Sequence, residues 1–293
     1  MNTSINQTTK FVSAIYELNY VAERNCGRYK NFPLISATIK NIIFPEYQYV
    51  IYTDENTYNI FDLKNEFPQS NIEIKFKELN TLPQCETIKR VQREEFISAG
   101  MNYDRIYCVD NYLEVILNKL QFLIDESVGC DNVFWIDAGL VGTSCHDNWR
   151  SYITPLINSK NFLDKLVEKS STPGFLHLRG DAVGLGINYH ARNRLRELHN
   201  LDRFYGVPGA FFGGKSELVK QMLTGYLNIF DRYVNEYNHL ISEQDVLSVI
   251  TEKNKDKCSF FEIDDWQDFQ RAVLQILDIY DESRYIKDKC YEQ

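Results

Sequence analysis

One short segment, Asn132-Val133-Phe134-Trp135-Ile136 followed by Asp137-Ala138-Gly139, constrains the fold of this chain more than any other. Its four consecutive apolar residues are too few for a helix and show no alternation. A run of that kind suits a strand covered on both faces, as in a parallel sheet flanked by helices. In open α/β sheets, ligands bind outside the carboxyl ends of the strands. An acid there, followed by small residues, lets a large anionic ligand approach the backbone and is able to hold a divalent cation. Asp is equally favoured at turns and helix caps. On this segment alone Asp137 reads either way.

The rest of the chain repeats the theme. Strands are expected at Phe11–Tyr16, Tyr49–Tyr52, Ile72–Phe76, Asn132–Ile136, Gly174–Leu178 and Ser259–Ile263, with a strand or turn bordering a cleft at Val207–Gly214. Helical periodicity is expected at Tyr29–Ile42, Thr57–Phe67, Glu86–Gly100, Leu113–Ser127, Ser216–Tyr237, Ser242–Ile250 and Trp266–Tyr280. In the fourth of these, Leu113, Ile116, Leu117, Leu120, Leu123 and Ile124 form one apolar stripe. Alternating strands and helices predict an α/β fold with a mostly parallel, Rossmann-like central sheet. No repeat or low-complexity linker divides the chain, so residues 1–293 are read as a single domain.

Composition narrows the function. The net charge of −9 comes without a dense Lys/Arg run, which argues against a nucleic-acid partner. The seven Cys form no CxxC pair and no zinc-like cluster, so they read as free thiols of a reducing compartment. No apolar run approaches the roughly 18 residues of a membrane span. The polar start, Met1 to Lys10, lacks a signal-peptide core, so a cytoplasmic protein is expected, with peripheral contact at the inner face of the membrane left open.

Several residues carry candidate chemistry. Asp54, in Tyr52-Thr53-Asp54, lies at a strand end where an acid binds a ribose hydroxyl or base edge; its alternative is an N-cap for the next helix. Pro208-Gly209-Ala210-Phe211-Phe212-Gly213-Gly214 sets four small residues around two aromatics, room for a ring-shaped ligand against the backbone. Ser242-Glu243-Gln244-Asp245 reads as a capping pattern, and either acid could accept a proton from an attacking hydroxyl. Arg24, Arg28 and Lys119 precede the strand-end acids and suit phosphate. Gly180–Gly186 has neither dinucleotide nor P-loop spacing, the five His form no metal pairing, and no serine-hydrolase elbow occurs.

With these residues in order, the chain resembles nucleotide-sugar glycosyltransferases of the GT-A fold, more narrowly the HtrL/YibB-like and WlaTN-like bacterial surface-glycan enzymes. The resemblance rests on Phe11–Tyr16 with Arg24 to Tyr29 after it, Val50–Asp54, Lys119 in its helix, Phe134–Leu140, Pro208–Gly214 and Ser242–Asp245, and so spans most of the chain. It implies a nucleotide-sugar-binding half, 1–140, and an acceptor half with C-terminal helices, 141–293. Tyr16, at the end of the first strand, and Asp54 would hold the nucleoside, with Arg24, Arg28 and Lys119 toward the diphosphate. Asp137 would stand at the first acid of the DxD signature and hold Mn²⁺ or Mg²⁺. Gly139 occupies the place of the second acid, which leaves either a metal with a later ligand or cations such as Arg28 and Lys119 in its stead. The Gly209–Gly214 stretch, Gly213 and Gly214 included, would line the sugar and acceptor side, and Asp245 or Glu243 would be the base of an inverting reaction.

The implied activity is transfer of a hexose, UDP-linked, to a glycan or lipid-linked glycan of polysaccharide or lipopolysaccharide biosynthesis. Two alternatives stand beside it. One is a catalytically silent protein that binds nucleotide sugar or glycan, suggested by the missing second acid. The other is a different nucleotide-using α/β enzyme such as a sugar nucleotidyltransferase, against which the absence of a glycine-rich N-terminal phosphate loop weighs.

Overall fold

The structure is a computed structural model that describes residues 8–17, 36–98, 112–140, 147–181, 189–263 and 269–281. Its strands are β1 (Thr9–Ala14), β2 (Gln48–Thr53), β3 (Ile72–Phe76), β4 (Asn132–Ile136), β5 (Phe175–Arg179), β6 (Phe211–Lys215) and β7 (Cys258–Glu262). Its α-helices are α1 (Glu55–Ile60), α2 (Leu63–Glu66), α3 (Cys85–Ser98), α4 (Tyr112–Glu126), α5 (Asp147–Ile157), α6 (Lys160–Lys169), α7 (Tyr189–His199), α8 (Ser216–Leu223), α9 (Tyr226–Tyr237), α10 (Glu243–Lys253) and α11 (Gln270–Ile276).

All seven strands form one sheet in the order β3-β2-β1-β4-β6-β5-β7. Every pairing is parallel except the two made by β6, which runs against β4 and β5. The expected α/β architecture with a mostly parallel sheet is therefore what the chain adopts. β4 is central, and all five of its residues are buried. Phe11, Phe134 and Tyr49 stack across β1, β4 and β2, with ring centroids 5.6 and 5.8 Å from Phe11. The stripe on α4 is real: Ile116, Leu117, Leu120 and Leu123 are all buried. The same helix also buries Glu114, Asn118, Lys119 and Glu126, so its polar residues are inside the protein as well.

The order of connections creates one topological feature. From β1 the chain moves outward through β2 to β3, then returns to place β4 on the other side of β1. Crossovers leaving in opposite directions open a crevice above the carboxyl ends of β1 and β4, the switch point at which such sheets bind ligands.

Several expectations shift on contact with the structure. The single helix expected over Ser216–Tyr237 is two, α8 and α9. Gly225, which loses more backbone freedom in a helix than any other residue, serves as N-cap of α9, and α8 ends at its C-cap Thr224, whose amide and hydroxyl both donate to the Lys220 carbonyl. Residues 36–42 form a turn and a 3₁₀ segment, Ile39–Asn41, where a helix was expected; residues 29–35 of that stretch lie outside the described residues. Helix α11 is shorter than the expected Trp266–Tyr280, of which 266–268 lie outside the described residues. Helices α5, α6 and α7 were not anticipated. In α6 the signal was present: Ser159 accepts a hydrogen bond from the Phe162 amide as N-cap, and Phe162, Leu163 and Leu166 are buried.

Gly213 and Gly214 explain how β6 fits between its neighbours. Both have φ of +148°, a conformation side chains rarely adopt. A Cβ on Gly213 would overlap the Val133 carbonyl of β4, and one on Gly214 would overlap the Gly174 carbonyl beside β5. The two glycines are thus required by the close approach of backbone inside the sheet.

Candidate functional site

The carboxyl ends of β1, β2, β4, β5 and β7 and the start of β6 share one edge of the sheet, because Ile136 at the end of β4 pairs with Phe211 at the start of β6. At this edge the chain gathers an acid, a lysine and a second acid from three different elements. Asp137 follows β4 directly; its amide donates to the Ala210 carbonyl at 2.8 Å, and its own carbonyl accepts from the Leu140 amide at 3.2 Å. Its side-chain Oδ1 accepts from the Trp135 indole Nε1 at 2.7 Å. Residues two apart on a strand share a face, which is why Trp135 and Asp137 meet.

Lys119 reaches this acid from α4. Its ammonium lies 2.7 Å from Asp137 Oδ1 and 3.4 Å from Glu243 Oε1. It also donates to the Gly209 carbonyl at 3.2 Å and lies 5.4 Å from the centroid of the Trp135 ring. Burial alone would lower the Lys119 pKa, but the carboxylates of Asp137 and Glu243 outweigh it and hold the group protonated. Glu243 is the first residue of α10, where the positive end of the helix favours an anion. Burial nevertheless pushes its carboxyl up to about 7, with Asp137 adding to the rise and Lys119 opposing it. Its Oε2 is buried without a hydrogen-bond partner. Gly209 packs so closely over this carboxylate that a Cβ there would overlap Oε1.

Exposure separates the three. The side chain of Asp137 is 27% accessible, against 7% for Lys119 and 3% for Glu243. Asp137 is therefore the member that a ligand in the crevice can touch, with Lys119 and Glu243 held behind it.

The other expected residues divide into groups. Tyr16 stands just past β1 with its ring buried and its hydroxyl donating to the Lys77 carbonyl at 2.9 Å; burial, then Asp54 and Glu78, push that hydroxyl's pKa upward. Asp54 follows β2 at the same edge and caps α1, accepting from the Thr57 amide at 2.6 Å. Gly139 is buried in the turn after Asp137. Asp245 closes the capping box of α10: its Oδ2 accepts from the Ser242 amide at 2.8 Å and the Ser242 hydroxyl at 2.9 Å. Gly213 and Gly214 pair with Phe134 and Val133, away from the edge that carries Asp137. Arg24 and Arg28 lie outside the described residues. Trp135 is a site residue that the sequence reading does not single out, and Gly209, expected only as part of the ligand-lining stretch, contacts Lys119 and Glu243. Trp135 was legible from its i, i+2 spacing to Asp137; the contact of Gly209 with Lys119 and Glu243 depends on tertiary docking.

A divalent ion does not fit the residues the structure describes. Asp137 offers one carboxylate whose Oδ1 already accepts from an ammonium and an indole. The second acid of the cluster, Glu243, shares the same ammonium, and among the described residues no group of three His, Cys, Asp or Glu is placed to hold a metal.

Fold and site together define a single-sheet α/β protein with a charge-compensated polar cluster at its switch point, the usual setting for a nucleotide or other small ligand. No family model matches the chain, and neither does any curated protein. Among solved structures, it is similar to mouse xyloside xylosyltransferase 1 at 8% identity and a TM-score of 0.46, over 86% of this chain and 84% of that one. It is similar to the galactosyltransferase LgtC, solved with donor and acceptor sugar analogs, at 11% identity and a TM-score of 0.42, over 86% and 73% of the two chains. A third likeness is to the bifunctional glycosyltransferase WbbM, at 13% identity and a TM-score of 0.41, over 89% of this chain and 40% of that one. No helix among the described residues is long and apolar enough to cross a membrane.

Proposed function

We propose that the chain is a glycosyltransferase of GT-A type that moves a hexose from a nucleotide sugar, UDP-linked, to a glycan or lipid-linked glycan acceptor. The observation that carries this reading is the position of Asp137, which emerges partly exposed at the switch point between β1 and β4 and is fixed by Lys119 and Trp135. Tyr16 and Asp54 flank the same edge from β1 and β2, in the order the motif resemblance implies.

The charge balance of the cluster assigns its members different work. Lys119 compensates Asp137 and Glu243, so the cluster has little positive charge to offer a diphosphate. Asp137 suits the hydroxyls of the transferred sugar or the ribose, which donate hydrogen bonds to a carboxylate. The diphosphate falls to Arg24 and Arg28. Because the described residues do not complete a metal site, no step of this reading passes through Mn²⁺ or Mg²⁺.

Of the two acids expected as acceptor base, Glu243 is preferred to Asp245. Its carboxyl at about 7 lies where a general base works best, whereas Asp245 is committed to its helix cap. Glu243 is buried against Gly209, so an acceptor reaches it only if this packing opens. That burial favours a second reading, a protein that binds nucleotide sugar without turnover. In both, residues 1–140 hold the donor and residues 141–293 face the acceptor.

The two are separated by incubating the full chain with a panel of nucleotide sugars and following each donor by mass spectrometry. Slow hydrolysis or transfer of one donor, lost in Asp137→Ala and in Glu243→Gln, is the expected result. Binding of a donor without consumption across a broad acceptor panel supports the second reading. No nucleotide bound at all contradicts both.

A further inference from the structure

Four helices meet at a second place, remote from Asp137. Between α7, the α8–α9 junction and the end of α10 lies a cavity of about 310 Å³, whose walls include His199, Met222, Asn228, Ile229, Arg232 and Lys253. Glu243 is the first residue of α10 and Lys253 the last, so the two sites are separated by about 15 Å of helix at about 1.5 Å per residue.

We propose that this cavity is a binding site for a phosphate-class oxyanion, either free or as the ester of a small molecule. No carboxylate lines the cavity, although the chain as a whole carries a net charge of −9. Arg232 and Lys253 face it with no acid opposite them, and the group that Lys253 contacts is itself a base: its ammonium is 3.1 Å from His199 Nδ1. An ammonium only donates hydrogen bonds, so Nδ1 must accept and the ring proton must sit on Nε2. That Nε2 is buried and has no hydrogen-bond partner. The cavity therefore presents a guanidinium and an ammonium from two helices, beside an imidazole N–H that lacks a partner, with the side-chain amides of Asn228 and Asn254 as the other polar groups in its lining and no carboxylate. A tetrahedral oxyanion supplies the missing acceptors, and two fixed positive charges match a dianion.

Cations at helix C-termini ordinarily bond the last carbonyls. That role does not account for this cluster: Lys253 spends its hydrogen bond on His199, and Arg232 lies in the middle of α9. The electrostatics agree with an anion site. Burial, then Lys253 and Arg232, push His199 down to about 4, and burial followed by Arg232 lowers Lys253. The apolar walls of Met222 and Ile229 leave room for the body of an ester.

The test is thermal unfolding of the full chain with increasing inorganic phosphate, and in parallel glucose 1-phosphate, each against chloride at matched ionic strength. Phosphate is expected to raise the wild-type Tm beyond the chloride control. In Arg232→Gln/Lys253→Gln the apparent affinity is expected to fall at least about tenfold, while the Tm without phosphate is no lower than wild type because like charges have been removed. A larger shift with the ester assigns the apolar walls to its body, and equal shifts assign the site to phosphate alone; both support the proposal. A shift of full size in the double variant places the anion elsewhere, the Asp137 crevice included, and overturns it. No shift beyond chloride in the wild type also overturns it. Should the double variant not fold, ¹⁵N NMR of the wild type decides: phosphate must move the His199 ring resonances, and unmoved resonances reject the site.

Discussion

The ammonium of Lys119 sits 2.7 Å from Oδ1 of Asp137, and this contact ties a buried helix to the one carboxylate of the cluster that reaches the crevice. Breaking a buried pair by removing one partner leaves an uncompensated charge, which costs about 3–5 kcal/mol. Lys119→Met is expected to destabilise the protein by that order in urea unfolding at pH 7. Lys119→Met/Glu243→Gln should recover part of the loss, since only Asp137 then lacks its cation. A loss below about 1 kcal/mol would mean that water, not Lys119, stabilises these acids.

Glu243 gives the protein a pH dependence of definite sign. Its folded pKa of about 7 lies above the ordinary 4.5, so between these values the folded state binds more protons than the unfolded one. Stability from this group is then fully present below about 4.5 and is lost as pH rises toward 7. Glu243→Gln copies the protonated form and removes the slope. The difference in urea midpoint between variant and wild type should grow in the variant's favour across that window. A difference that stays constant with pH would contradict the assignment.

Asp54 serves a helix cap that a suitable variant can preserve. Asn caps as well as Asp does, whereas Ala loses about 1 kcal/mol. Asp54→Asn is expected to keep wild-type stability and to weaken nucleoside binding, while Asp54→Ala loses both. If Asp54→Asn binds every nucleotide as wild type does, the residue is a cap and nothing more.

The glycines of the β6 region should respond differently to a methyl group. Gly213→Ala sets a Cβ against the Val133 backbone at a positive φ, so a loss of more than about 1 kcal/mol is expected. Gly209→Ala presses on the Glu243 carboxylate, a side chain able to shift, and should change donor turnover more than Tm. The measurement is a paired Tm and turnover assay, and a larger Tm loss at Gly209 than at Gly213 would reverse the reading.

How far the sequence speaks for itself can be judged residue by residue. β4 lies where its apolar run placed it, because a strand covered on both faces must be apolar throughout, and the edge strand β3 lies where the alternating Ile72-Glu73-Ile74-Lys75-Phe76 placed it, with none of its residues fully buried. β1 was expected two residues late, at Phe11–Tyr16: Ile15 and Tyr16 are buried like strand residues yet lie past its end, while Thr9 and Lys10 belong to the ladder and look polar. The capping box at Ser242 and Asp245 is local chemistry and was readable as such. The reversed direction of β6 was not, since a strand's direction is set by its partners. Nor does any spacing announce that Lys119, Gly209 and Glu243 meet at Asp137, because three separately folded elements bring them there.

The most direct test of the donor site is calorimetric titration of UDP into the wild-type protein and into Asp137→Ala, both shown to be folded by thermal unfolding. UDP binding by the wild type, weakened at least about tenfold in Asp137→Ala, is the result predicted for a donor site at the switch point between β1 and β4. Equal binding by both proteins, or none by the wild type, would contradict it.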